Sequence, residues 1–466
     1  MTTAQTPEPK AAEHPPAAQR STADLVRAAV SGWLGTALEF MDFQLYSLAA
    51  ALVFSQLFFS GESAGMAVVL SMATYGVGYI ARPLGALFFG RLGDRIGRRK
   101  VLFYTIALMG AATTLIGVLP TYQQVGVLAP VLLVTLRLLQ GFGAGAEISG
   151  AGVMLAEYAP VKRRGFVASL VGLGTNCGTL FASAIWAILL GVMVESDVIA
   201  WGWRIPFIAS AVVMVFAVWV RLNLKESPVF EEREDVVDGR ALSREEILAQ
   251  AGHRAETRTV EALQRKPIKA IAVAFFLRFG QAGNSGLIQT YLISFMTLTL
   301  ALQKSLSANV VIVSSLVGFV TIPLIGWLGD KFGRRRMYII VMSAALVVVV
   351  PAMTAIDSRN LVWVFVGYVV LHNVAVLSPA SLENVSIPEI FGARNRYTLT
   401  AVVREIAAVI ATGIGPVVVA AWVAAATGSP IPIMVMLVLY SLSALIVAVW
   451  AKDWTGRDLT DPLPAM

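Results

Sequence analysis

The stretch Gly90-Arg-Leu-Gly-Asp94-Arg-Ile-Gly-Arg98-Arg-Lys100 sets five cations and one acid in a turn between two long apolar runs. It occurs again as Gly326-Trp-Leu-Gly-Asp330-Lys-Phe-Gly-Arg334-Arg-Arg336. The two aspartates (330 minus 94) lie 236 residues apart in a chain of 466, so the sequence reads as two related halves with a charged turn at the same place in each. At that offset Glu147 falls on Glu383 and Asp42 on Arg278; with a small slip, residues 157–164 lie over 389–396.

Between the charged turns the chain is apolar: 57% hydrophobic, 14% charged, with a mean hydropathy of +0.73. That leaves too little polar surface to cover a water-soluble globule of this size. Runs of the roughly 20 apolar residues needed to cross a bilayer core occur six times between Ala28 and Leu222 and six times between Ile268 and Trp450. The expected fold class is an all-α membrane protein, twelve transmembrane helices in two pseudo-symmetric six-helix bundles. Its expected parts are a tail at 1–23, a bundle at 24–222, a linker at 223–267, a second bundle at 268–451 and a short tail at 452–466.

The net charge of +7 sits almost wholly between spans, which speaks against nucleic acid as a partner. Alternate connections carry the arginines and lysines, so the positive-inside rule puts both termini and the linker in the cytoplasm. The linker alternates acid and base (Glu231-Glu-Arg-Glu-Asp235), as suits a solvated helical tether, and no signal peptide is legible in the first residues. One cysteine, Cys177, and three scattered histidines without an HExxH offer no metal site and no catalytic constellation. Gly141-Phe-Gly-Ala-Gly145 is no dinucleotide loop, because no strand precedes it. With Gly174 and Gly178 it suits close helix packing. No cofactor is expected beyond a proton gradient, and the chain reads as a non-enzymatic monomer in a bilayer.

Ionisable groups inside the membrane are costly and need a partner, an aqueous cavity or a task. Helical geometry puts Gly32, Gly35, Thr36, Glu39, Asp42 and Tyr46 on one face of the first span, with Gln44 off it. The fourth span aligns Arg137, Gln140 and Glu147; the seventh aligns Arg278, Gln281, Ser285 and Gln289; the fifth carries the uncharged stripe Gly172, Asn176, Thr179 and Ser183. Four polar faces of this kind can line a cavity between two bundles.

A carboxylate whose pKa responds to burial and to a nearby cation can carry protons. Asp42 and Glu39, then Glu147 and His372, are the candidates; the alternatives are a permanent ion pair for the acids and a satisfied core histidine. Arginine's planar fork suits a carboxylate ligand, so Arg137 and Arg278 are candidate anion contacts, with Arg82, Arg404, Tyr46, Gln281, Gln289 and Asn176 beside them. Arg404 and Glu405 point 100° apart and cannot both face a pore; a gating contact with the first charged turn is the other reading of that pair.

The repeated turn resembles the loop signature of the major facilitator superfamily, and Arg137-Leu-Leu-Gln140-Gly141 resembles its fourth-helix signature. Gly35-Thr-Ala-Leu-Glu39-Phe-Met-Asp42, Arg82-Pro83-Leu-Gly85, Trp201-Gly-Trp-Arg-Ile-Pro-Phe207 and Glu226-Ser-Pro-Val-Phe230 are similar to those of the metabolite:proton symporters. The resemblance implies proton-coupled uptake of a small organic substrate across the bacterial inner membrane. A carboxylate is the first expectation; a zwitterion such as proline or betaine, or proton-driven export, is the alternative. It also implies a gating latch built from Gly90, Asp94 and Arg98, with Asp330 and Arg334 as a second copy and Glu405 beside it.

Overall fold

A computed structural model of the chain describes residues 22–96, 98–145, 156, 159–222, 236–237, 240–241, 267–392, 396–459 and 464–465. Twelve helical passes account for nearly all of it. They are α1 (22–58), α2 (Ala64–Ile96), α3 (Arg98–Ile116), α4 (Leu128–Ala144), α5 (Arg164–Val192) and α6 (Arg204–Leu222) in the first half. The second half has α7 (268–299), α8 (Lys304–Phe332), α9 (Arg334–Asp357), α10 (361–390), α11 (396–425) and α12 (Ile431–Trp450).

Eight of these helices are individually long and apolar enough to span a membrane. A ninth candidate is α6 with its preceding turn at Glu195–Gly202, which meets it at a 51° bend; α6 itself runs unbroken over the span expected from Ile205. The shorter α3 and α4, and α7 with its polar stripe, complete the twelve. Their outer faces carry bare apolar side chains such as Val212, Val320, Val347 and Trp450, as lipid contact requires.

Both charged turns break the helix at equivalent points, between α2 and α3 and between α8 and α9. In the second, Gly333 takes φ +93°, a conformation that favours glycine and leaves it as the single residue between α8 and α9. In the connection between halves, the described residues Val236–Val237 and Arg240–Ala241 form a short antiparallel pair, β1 and β2, where a helical tether was expected.

Lipid tails are as apolar as the helix faces, so association rests on close packing and hydrogen bonds more than on the hydrophobic effect. Small residues set the crossings. A Cβ built on Gly141 of α4, or on Gly145 just past its end, would fall 1.9 or 2.0 Å from a backbone oxygen of α2, and one on Gly178 of α5 2.3 Å from a backbone oxygen of α1. These glycines are packing residues. The halves meet the same way: α2 crosses α11 at Gly76 and Gly413, and α5 crosses α8 at Gly165, Ser169 and Gly326.

The two ends of the molecule close differently. At the end away from the termini, one apolar core runs through both halves, including Leu52, Phe58, Tyr75, Leu287, Tyr291 and Val311. Polar contacts across the halves at this end include Ser47 with Thr290 (2.6 Å), Gln44 with the Gln289 carbonyl (3.5 Å) and the partly exposed pair Lys304–Glu195 (2.7 Å). At the end carrying the termini, closure is ionic and buried.

Candidate functional site

α1 and α7 are wound as π-helix at equivalent places, 50–54 and 287–291, and α10 and α11 at 373–377 and 409–414. Such turns widen the helix and re-aim side chains, and they concentrate at functional sites. Here they flank two tiers of buried polar residues where the bundles cross.

The lower tier, nearer the termini, holds two groups of ion pairs that meet at neighbouring residues of α11. Arg82 of α2 meets Glu39 of α1 at 3.1 Å and Glu405 of α11 at 2.9 Å, all three side chains buried. Phe43 and Tyr79 face the Arg82 guanidinium at 4.8 and 5.3 Å from their centroids. Next along α11, Arg404 turns the other way, to Glu383 (3.4 Å) and Asn384 (3.2 Å) of α10. Glu383 also receives Arg278 of α7 (3.3 Å), which holds Gln281 at 2.6 Å. Glu405 contacts Arg82; the side chains of the gating partner expected for it, the first charged turn at 93–100, lie outside the described residues.

The upper tier is mostly neutral. Arg137 is 0% exposed and lies nine residues into α4, about 14 Å along it at 1.5 Å per residue. It donates to Gln140 (2.5 Å) and to the carbonyls of Thr74 and Tyr75. The Tyr46 ring covers its guanidinium at 3.7 Å, and the Tyr46 hydroxyl donates to Thr74. Among the described residues no carboxylate lies within ion-pair distance of Arg137. Gln140 donates to Thr113, and Thr113 donates to Asp42 (3.2 Å), so a chain of three hydrogen bonds links the Arg137 cation to the Asp42 acid.

In the second half, the two ring nitrogens of His372 bond Gln289 (2.8 Å) and Ser314 (2.7 Å). Asn373 donates to Ser314, and Asn176 of α5 donates across the halves to the Ser315 carbonyl (2.8 Å). Asn176 Oδ1, Ser315 Oγ and Asn373 Oδ1 are buried acceptors without a hydrogen-bond partner among the described residues.

At the termini-bearing end, Asp330 accepts from the backbone N–H groups of Gly165 (2.7 Å) and Phe166 (2.8 Å) at the start of α5. A carboxylate is favoured there by the unpaired amides and the helix dipole. Arg334 bonds Asp330 (2.9 Å) and Glu389 (2.9 Å), and Glu389 takes Arg164 of α5 at 3.0 Å. Glu147 and the side chains at 90, 94 and 98 lie outside the described part of the structure.

Sequence reasoning missed Arg164, Glu389, Thr113, Ser314 and Gln44. Arg164 and Glu389 occupy the aligned segments 157–164 and 389–396, and that repeat was the available signal. Gln44, off the predicted polar face, points across the halves at the Gln289 carbonyl (3.5 Å).

Two helical bundles closing on a buried, charge-paired centre make up the architecture of an alternating-access transporter, not of an enzyme. The profile of the Major Facilitator Superfamily matches residues 32–416 and 271–460. The chain is 50% identical over 422 residues to the transporter-named protein YdfJ of Escherichia coli (strain K12), covering 90% of this chain and 95% of that one. It is 33% identical over 430 residues to the shikimate transporter of the same organism (92% and 94% covered) and 29% identical over 451 residues to its proline/betaine transporter (95% and 86%). The solved structure of the E. coli proton:xylose symporter XylE with 6-bromo-6-deoxy-D-glucose superimposes with a TM-score of 0.73 at 16% identity, covering 95% of this chain and 99% of that one. The chain belongs to the major facilitator superfamily, among its metabolite:proton symporters.

Proposed function

We propose that this transporter takes up a small organic anion, a carboxylate, together with a proton, in a bacterial inner membrane with both termini and the 223–267 tether cytoplasmic. The observation that carries the reading is Arg137: a fully buried guanidinium held by carbonyls, an amide and a tyrosine face, with no carboxylate in ion-pair range among the described residues. A buried charge in that position is stabilised by an anion that it can hold in a bidentate fork.

Charge balance supplies the coupling. Among the described residues the lower tier sets three cations, Arg82, Arg278 and Arg404, against three acids, Glu39, Glu383 and Glu405. Among the described residues the upper tier sets Arg137 against Asp42, and these two balance only while Asp42 is ionised. Protonating Asp42 leaves Arg137 in excess and draws in one anion; the loaded, protonated site is neutral again. Only the two neutral forms cross the low-dielectric closed state cheaply, and that is the condition for symport. Arg278 and Gln281 would meet the anion from the second half, and the open acceptors of Asn176, Ser315 and Asn373 suit a substrate with hydrogen-bond donors of its own.

The test is a thermal-shift screen of the purified protein against mono-, di- and tricarboxylates, aromatic acids and betaines. A carboxylate at a hundred times its Kd should add about 2.7 kcal/mol to the folded state, and Arg137→Gln should abolish that shift. A shift with betaines and none with any acid would replace the anion by a zwitterion.

A further inference from the structure

The chain leaving α12 doubles back beneath the termini-bearing face and touches both halves. Trp454 is 1% exposed and packs edge-on to Tyr338 of α9. Thr455 Oγ1 accepts the Arg334 N–H at 2.8 Å. Gly456 turns the chain there at φ +71°. The Arg457 carbonyl accepts from Arg164 Nη1 (2.8 Å), and the Leu459 carbonyl from Arg396 Nη2 (2.5 Å).

Arg164 is the residue of this set that belongs to the first half. Its guanidinium is shared between the Glu389 carboxylate and the Arg457 carbonyl, so the segment gives the buried cation of the inter-half latch a second acceptor. The turn that presents this carbonyl depends on Gly456, whose positive φ an L side chain rarely takes; a Cβ there would also approach Val161 of the first half at 3.7 Å. Anchored by Trp454 and Arg396, the segment moves with the second half, and Arg164 must leave it whenever the two halves part at this end.

We propose that residues 453–459 are a strap that holds this gate shut and whose contact with Arg164 must break for the gate to open. The strap adds to the Asp330 and Glu389 contacts about one charge-assisted hydrogen bond, so its loss should raise the open population about tenfold.

Spin labels at Lys162 and Arg336, two exposed positions on opposite halves of this face, would be placed in a Cys177→Ser background and their distance distribution measured. Two variants release the strap: a stop after Trp454, and Gly456→Pro in the full-length chain, which removes the N–H and cannot take a positive φ. Each should move population to longer distances by about tenfold while melting as the parent does; if the shortened chain fails to fold, the proline variant decides alone. A parental distance distribution in a folded Gly456→Pro variant would overturn the strap. The readout is a distance, so it is independent of the substrate and proton assignments above.

Discussion

Glu405→Gln separates a contact that joins the halves from one that only builds a half. Arg82 holds Glu39 within its own bundle (3.1 Å) and Glu405 across the bundle interface (2.9 Å), and all three groups are buried. Close charge pairs across an interface couple by about 1.5–7 kcal/mol. Arg82 keeps Glu39 in the variant and glutamine keeps the shape, so the low end of that range, about 2 kcal/mol, is the expected loss to the closed state. In an open state both groups are hydrated and lose little, so the ratio of closed to open should fall about thirtyfold. The assay is the label pair at Lys162 and Arg336, read by pulsed dipolar spectroscopy without substrate. Glu39→Gln is the internal control: it removes a pair of similar geometry within one half and should shift the ratio less than about threefold, though it should lower the melting temperature. Equal effects of the two variants on the distance distribution would refute the assignment of Glu405 to the gate.

The glycine crossings give opposite phenotypes. Gly76→Val, whose Cβ would lie 2.3 Å from the Gly413 oxygen, should wedge open the end away from the termini, and Gly326→Val, against Ser169 at 2.7 Å, should open the other, each by about 1–3 kcal/mol of overpacking; labels at both ends distinguish them. Asp42→Asn should abolish accumulation driven by a pH gradient but spare counterflow exchange, measured in proteoliposomes; full accumulation would remove Asp42 from the proton path. Arg278→Ala leaves Glu383 its pair with Arg404, so the protein should stay folded in detergent while uptake falls at least a hundredfold, and parental substrate affinity would end its role as an anion contact.

What the sequence made legible was whatever repeats or lies on one helix. The charged turns at 90–100 and 326–336 mark equivalent helix breaks because the same glycines and cations end both apolar runs. The alignment of Glu147 with Glu383 singled out a position that the structure joins to Arg278 and Arg404. The opposed directions of Arg404 and Glu405 followed from 100° per residue. Contacts between halves were not legible. Arg82 and Glu405 meet only because α2 and α11 cross at paired glycines, a fact of three-dimensional packing. Gln289 and Thr290 lie in a π-wound turn, where a 3.6-residue wheel misplaces side chains, and so their contacts with His372 and Ser47 could not be drawn from it. Nor does composition reveal that the short polar segment after α12 folds back, since the groups it satisfies, Arg164 and Arg396, come from distant helices.

The central claim, proton-driven uptake of an organic anion through Arg137 and Asp42, is tested most directly by transport in proteoliposomes. A radiolabelled carboxylate chosen from the thermal-shift screen is presented outside at acid pH with the interior alkaline, with and without an uncoupler. The account predicts accumulation above the external concentration, collapse to simple equilibration when the uncoupler is added, and neither in Arg137→Gln. Accumulation that persists undiminished after the proton gradient is collapsed would contradict it.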